Sequence, residues 1–240
     1  MSEKTIGMTI TGEIFQPVRL YYTIRNRQEV EKRLASLRCI ELDTFQKRWV
    51  WLYTDEAKTI NFKNNFHSIP EEVSPVVIGS FVWKSDETLI LDLRSFERAL
   101  EAIPFFDKYI PRSLAKATHC AAVNRIFEIA ESAPSNFDIF FEGNDKLVEI
   151  NPNAFMDRAR EAPLSKNNGP DLQAITSFLD NEMDRFFEVE KFPLHYYEDG
   201  PTSLKGSFTL RRIIAIKRWE GDANYSFKHV FKKMFAASQS

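Results

Sequence analysis

The order of apolar and polar positions divides the chain into short elements, and its first half reads as strands around one helix. Val18-Arg19-Leu20-Tyr21-Tyr22-Thr23-Ile24 is rich in β-branched and aromatic residues and predicts a strand. Asn26, with Glu29 three positions on, has the form of a capping box, and Val30, Leu34 and Leu37 recur on one face of the helix that follows. Further strands are expected over Cys39 to Leu42, Arg48 to Tyr53, Val76 to Trp83 and Thr88 to Leu93, the last two joined by the turn-forming Lys84-Ser85-Asp86-Glu87. Together they predict a five-stranded, mostly antiparallel sheet.

Helical spacing takes over at Ser95. Phe96, Leu100 and Ile103 predict a helix that stops at Pro104, because proline cannot donate to the helical ladder. The alanines at 115, 117, 121 and 122 suggest a longer, closely packed helix from Ser113 to Ser132. Ala133-Pro134-Ser135-Asn136 then punctuates the chain. It suggests a sheet domain over 1–133 and a mixed part over 134–240, an arrangement that one continuous domain would also satisfy. Beyond it, a strand is expected over Phe137 to Glu142, a short helix over Asn153 to Ala162 and an exposed loop over Pro163 to Pro170. The clearest periodicity predicts a helix from Asp171 to Val189, with Leu172, Ile175, Leu179, Met183 and Phe186 on one face. Leu204 to Trp219, with four apolar residues in a row at 213–216, reads as a strand, and Tyr225 to Ala236 as a final helix. The class is α+β: an antiparallel sheet with helices, then a helix-rich C-terminal part holding one or two further strands.

Composition narrows the class without naming a function. With 240 residues, 43% hydrophobic and 28% charged, the chain can bury a core and is neither disordered nor fibrous. Its 21 Phe against 8 Gly point to aromatic-rich packing. No run approaches the roughly 18 apolar residues of a membrane span. The opening MSEKTIGMTITGEIF lacks the basic and then apolar regions of a secretory signal, so a cytoplasmic location is expected. Cys39 and Cys120 form no CxxC pair and read as packed, reduced thiols.

Charge is distributed unevenly. Residues 171–204 hold 2 basic against 8 acidic side chains, residues 205–240 hold 8 against 2, and the body before them is close to neutral. Lys205, Arg211, Arg212, Lys217, Arg218, Lys228, Lys232 and Lys233 would therefore supply a basic surface for nucleic acid or an acidic protein partner. The competing expectation is that the acidic and basic segments pack together and neutralise each other. The final helix has the same two uses, as a basic amphipathic ligand for a groove or as an element docked on its own core.

Catalytic signatures are sparse. His67, His119, His195 and His229 lack metal-ligand spacing, the nucleophile-elbow, P-loop, dinucleotide and kinase motifs are absent, and no cofactor is implied. Asp138, Glu142, Asp145 and Glu149 are the nearest approach to a carboxylate cluster of the kind that holds Mg²⁺; Asp138, Glu142 and Asp145, with His195 as proton carrier, would suit a metal-dependent hydrolase or nuclease. Trp49, Trp51 and Tyr53 share one face of a strand and could stack bases or fill the core. Glu182 falls inside an apolar stripe and would need a basic partner such as Arg211 or Arg212. The function expected first is a non-enzymatic binding or accessory protein acting through its basic C-terminal segment; the metal-dependent hydrolase is the alternative.

Overall fold

Eight strands form one mixed sheet in the computed structural model, which describes residues 4–129, 131, 134, 136–143, 145–151, 177 and 180–237. They are β1 (Val18–Ile24), β2 (Ile40–Asp43), β3 (Arg48–Leu52), β4 (Val77–Trp83), β5 (Thr88–Leu93), β6 (Ala115–Val123), β7 (Leu147–Glu149) and β8 (Val189–Pro193). Their order is β2-β3-β4-β5-β1-β6-β8-β7, antiparallel throughout except where β7 runs parallel to β8. The helices with both ends among the described residues are α1 (Arg27–Ala35), α2 (Phe96–Tyr109), α3 (Asp138–Phe141), α4 (Tyr196–Asp199), α5 (Pro201–Trp219) and α6 (Phe227–Ala237). The protein is α+β, with the five strands of the N-terminal half where the alternation put them. The sheet is wider than five strands, however, because β6 joins it beside β1, and β8 and β7, from beyond residue 134, extend it further.

Several elements differ from their sequence pattern, each for a physical reason. Ala115–Val123 is a strand: it pairs with both β1 and β8, and its alanines are small enough to be buried between two layers, which overrides their helical propensity. Pro104 lies inside α2, which continues to Tyr109, because Phe105 and Phe106 bury there against Trp51 at ring distances of 5.0 and 4.7 Å. Leu204 to Trp219 is the helix α5, entered through Pro201 in its first turn, with Leu204, Phe208 and Ala215 on its buried side. Its four consecutive apolar residues fit a strand or a helix equally, and length decides for the helix. Phe137 to Glu142 contains the single helical turn α3 rather than a strand. Residues 180–184 are helical but the element ends there, and Val189 already belongs to β8. The elements expected over 153–162 and 163–170 lie outside the described residues.

One face of the sheet carries the main core. Val30 and Leu34 of α1, Phe96, Ala99 and Ile103 of α2, and Leu204 and Phe208 of α5 pack on the inward residues of β1, β3, β4 and β5, with Phe96 and Phe208 stacked at 4.5 Å. The α1 cap is the one expected, Asn26 Oδ1 accepting from the Glu29 amide at 3.0 Å. Gly79 of β4 lies beneath this layer, where a Cβ would stand 2.8 Å from Leu93 Cδ2. Trp51 and Tyr53 are core residues, so no exposed aromatic row exists on β3. Both cysteines are buried and free, with the Cys39 thiol pushed up to about 12 by burial. The α6 helix docks on its own chain, Val230 packing with Ile214 and Tyr225. Among the described residues no helix is long and apolar enough to cross a membrane.

Candidate functional site

The second face of the sheet is covered unevenly. A small cluster of Phe15, Ala121, Val123, Phe127, Phe137, Phe141 and Val189 covers it around β6 and β8. Toward β3, β4 and β5 it opens into a cleft of about 490 Å³, floored by Ser80, Val82 and Asp92 and walled by Asn136, Phe137 and Asp138 beside α3. Strand alternation explains why charge collects there. Arg19 and Asp92 stand across from each other on β1 and β5, on the face opposite Leu20, Leu91 and Leu93.

Arg19 is the centre of an ion-pair cluster. Its side chain is 1% exposed and donates from Nε and Nη2 to both oxygens of Asp92 at 2.6 and 2.9 Å, from Nη2 to Asp138 at 2.7 Å and from Nη1 to Glu142 at 3.0 Å. Lys84 bonds Asp138 at 3.3 Å and also pairs with Glu142. Burial alone would raise the Asp138 carboxyl, but the hydrogen bonds and charges of Arg19 and Lys84 outweigh it and hold it below the ordinary Asp range. The same network ties α3 to the sheet. Two of the three carboxylates expected at a metal centre are therefore engaged by cations, while Asp145 and His195 are exposed elsewhere. Among the described residues no group of three or more His, Cys, Asp or Glu is arranged to hold a metal ion.

The two cations that line the cleft are arginines. Arg48 pairs with Asp43 at 3.3 Å. Arg94 has no ion pair and no side-chain hydrogen bond among the described residues, although it is half-buried and lines the cleft. Burial, and then the like charge of Arg48, press its pKa below the usual arginine value. Its position is fixed from both sides: its carbonyl accepts from the Gln16 amide at 3.0 Å, and the next residue, Ser95, caps α2 by accepting from the Arg98 amide at 3.1 Å. A charged guanidinium carried on a fixed backbone in a concave, partly desolvated site has the form of an oxyanion receptor, since its planar fork matches carboxylate and phosphate.

Arg94 also lines a second hollow, of about 470 Å³, which shares Val77 with the cleft. Behind it lies a buried pair, Arg98 and Glu13, with side chains 1% and 2% exposed and Arg98 Nε 3.6 Å from Glu13 Oε2. Arg98 donates to the carbonyls of Val77 and Ile78 at 3.1 and 3.3 Å and to Thr11 Oγ1 at 2.7 Å; Thr11 in turn donates to Glu13 at 2.6 Å. Arg98 thus fixes the start of β4 and the 9–13 loop, which are two walls of the hollow.

The C-terminal basic residues are mostly engaged within the chain. Arg211 pairs with Glu190 at 2.8 Å, Arg212 with Glu97 at 2.8 Å, Lys217 with Glu220 at 2.5 Å, and Lys228 with Asp184 and Asp180 at 3.1 and 3.5 Å. Arg218 donates to the Tyr225 carbonyl at 2.8 Å, and Lys233 lies over the Tyr225 ring. Lys205 and Lys232 are exposed. Glu182 is bonded by Arg185 at 3.0 Å, while Arg211 and Arg212, its expected partners, serve Glu190 and Glu97. Arg94 and Arg98 were not among the residues singled out from the sequence. The one available signal is the alternation Leu91-Asp92-Leu93-Arg94, which sets Asp92 and Arg94 on the face away from the core. No protein-family model matches the chain, and no curated protein or solved structure is matched by it.

Proposed function

We propose that this chain is a non-catalytic binding protein for a small anionic ligand, held in the open-face cleft by Arg94 with Arg48 beside it. The observation that carries this reading is the pairing pattern. Arg19 and Lys84 are matched by Asp92, Asp138 and Glu142, and Arg48 by Asp43, whereas Arg94 faces the cleft without a carboxylate. An oxyanion there would supply the missing partner. The reading keeps only the negative charge of the partner expected at the basic C-terminal segment; it replaces a nucleic acid or acidic protein with a small ligand and moves the contact to Arg94, because the arginines of that segment already have partners in the chain.

Titration with inorganic phosphate and with acetate, followed by amide chemical shifts, tests it. Shifts are expected at Ser80, Arg94 and Asn136. Arg94→Gln weakens binding roughly 10- to 150-fold, the equivalent of one charge-assisted hydrogen bond of about 1.5–3 kcal/mol. Arg94→Lys retains part of the affinity, since it keeps the charge but loses the fork. Lys205→Gln and Lys232→Gln leave it unchanged. Equal binding by wild type and Arg94→Gln, or binding lost only in the lysine variants, would refute the proposal.

A further inference from the structure

The hollow on the other side of Arg94 has an unusual lining. Among the described residues, nine large hydrophobic side chains are exposed, and five of them, Met8, Ile10, Val73, Val77 and Ile129, line this one cavity, each between 39% and 67% exposed. Scattered apolar residues on a surface need no explanation, but their concentration around a concavity marks a site that takes an apolar group. These five come from three separate stretches of chain, so no single local pattern produces the concentration.

We infer that the ligand is an amphiphilic oxyanion, a carboxylate or phosphate monoester whose head is held by Arg94 and whose apolar body lies in the hollow lined by Met8, Ile10, Val73, Val77 and Ile129. This rests on the anion-binding reading above and adds the ligand's class. The polarity of the hollow fixes the direction of the ligand. Arg94 and Val77 line both cavities, so a head at Arg94 leads directly onto the apolar lining. Glu128 and Glu131 also line the hollow, and Glu131 is engaged by Arg125 at 3.0 Å and by the Glu128 amide at 3.0 Å. Their charge disfavours the head there and leaves the Arg94 end for it. Each cavity falls within the roughly 300–1,000 Å³ of small-molecule sites.

A homologous series of acetate, butyrate, hexanoate and octanoate, with octyl phosphate and octanol as companions, tests the inference by calorimetry. Affinity is expected to rise about fourfold with each methylene buried. Octyl phosphate is expected to exceed inorganic phosphate by a similar factor for each carbon buried, and octanol to bind far more weakly than octanoate. Because Met8 and Ile129 are surface-exposed, Met8→Ser and Ile129→Ser are expected to stay folded and to flatten the chain-length dependence. Arg94→Gln is expected to bring octanoate down to the level of octanol. If acetate and phosphate bind through Arg94 but chain length has no effect, the anion site stands and the amphiphile is overturned. If octanoate and octanol bind equally and independently of Arg94, the anionic head is overturned, and with it the reading on which this one rests. If octanoate is displaced at high protein concentration as the chain self-associates, a second copy fills the hollow and the inference fails.

Discussion

Replacing Arg98 with Met lowers the free energy of unfolding by about 3–5 kcal/mol, the range for breaking a fully buried ion pair. Both partners are almost completely covered, at 1% and 2% exposure, so water cannot solvate the Glu13 carboxylate once the guanidinium is gone. The substitution also strips a donor from the Val77 and Ile78 carbonyls and from Thr11. In urea the midpoint falls while the denaturant slope is unchanged, as expected for lost stability without a change in the exposed surface. Adding Glu13→Gln recovers part of the loss, because the stranded charge is removed with its partner. Strictly additive effects of the two substitutions would show that the pair is not coupled. The loss should extend to ligand binding, since Arg98 holds two walls of the apolar hollow.

Arg19→Met is expected to cost about 3 kcal/mol, at the lower end of the same range. The difference lies in exposure: Asp138 and Glu142 are 40% and 47% exposed and keep much of their hydration when Arg19 is removed, whereas Asp92 is only 16% exposed. The local effect is larger than the global one. Without Arg19, α3 loses its principal tie to the sheet, so the amides of Phe141 and Glu142, which bond to Phe137 and Asp138 at 3.2 and 2.8 Å, exchange faster than the strands do. Acid acts in the same direction. Asp138 titrates below its ordinary value in the folded protein, so its contribution is complete at neutral pH and disappears as pH falls through that depressed value. Exchange at α3, taken relative to the intrinsic rate at each pH, should therefore rise below about pH 4 in the wild type. In Asp138→Asn it should already be fast at neutral pH, with little further change in acid. An α3 that stays protected in Arg19→Met would mean that the Phe137 and Phe141 packing holds it alone.

Where local and tertiary preferences agree, the elements were legible in the residue pattern. β1, β3, β4 and β5 combine β-branched and aromatic residues with alternation, and α1 carries its cap and its apolar stripe, so each pointed to the structure it forms. β6 and α5 were misread because tertiary context decides them. Alanines at 115, 117, 121 and 122 favour a helix by propensity, but the gap between β1 and β8 admits a strand of small residues. In α5, Ile213-Ile214-Ala215-Ile216 satisfies a buried strand as well as a helix. The candidate site was harder still. The uneven charge of residues 171–240 is visible in sequence, yet its pairs form with residues as distant as Glu97, and the pairing cannot be counted before folding. Arg94 stands out only once every neighbouring cation has been given its carboxylate, and Met8 and Ile129 have nothing in common until the fold brings them to one hollow.

The strand order also sets a timetable for biosynthesis. β1 occupies the middle of the sheet, yet Thr23 and Val18 pair with Thr88 and Leu93, 65 and 75 residues later in the chain. On its other side Cys120 must wait for Phe192, a further 72 residues, before β6 has both neighbours. At about 5–20 residues per second, each wait lasts roughly 3–15 s, long beside the microseconds in which a hairpin closes. During the first wait the apolar side of β1, with Val18, Leu20, Tyr22 and Ile24, has only α1 and the β2–β3 hairpin available to cover it. Nascent chains stalled before Thr88 emerges should be more sensitive to protease and more dependent on chaperones than chains stalled after β5 has cleared the ribosome. The central strand is made early and completed late.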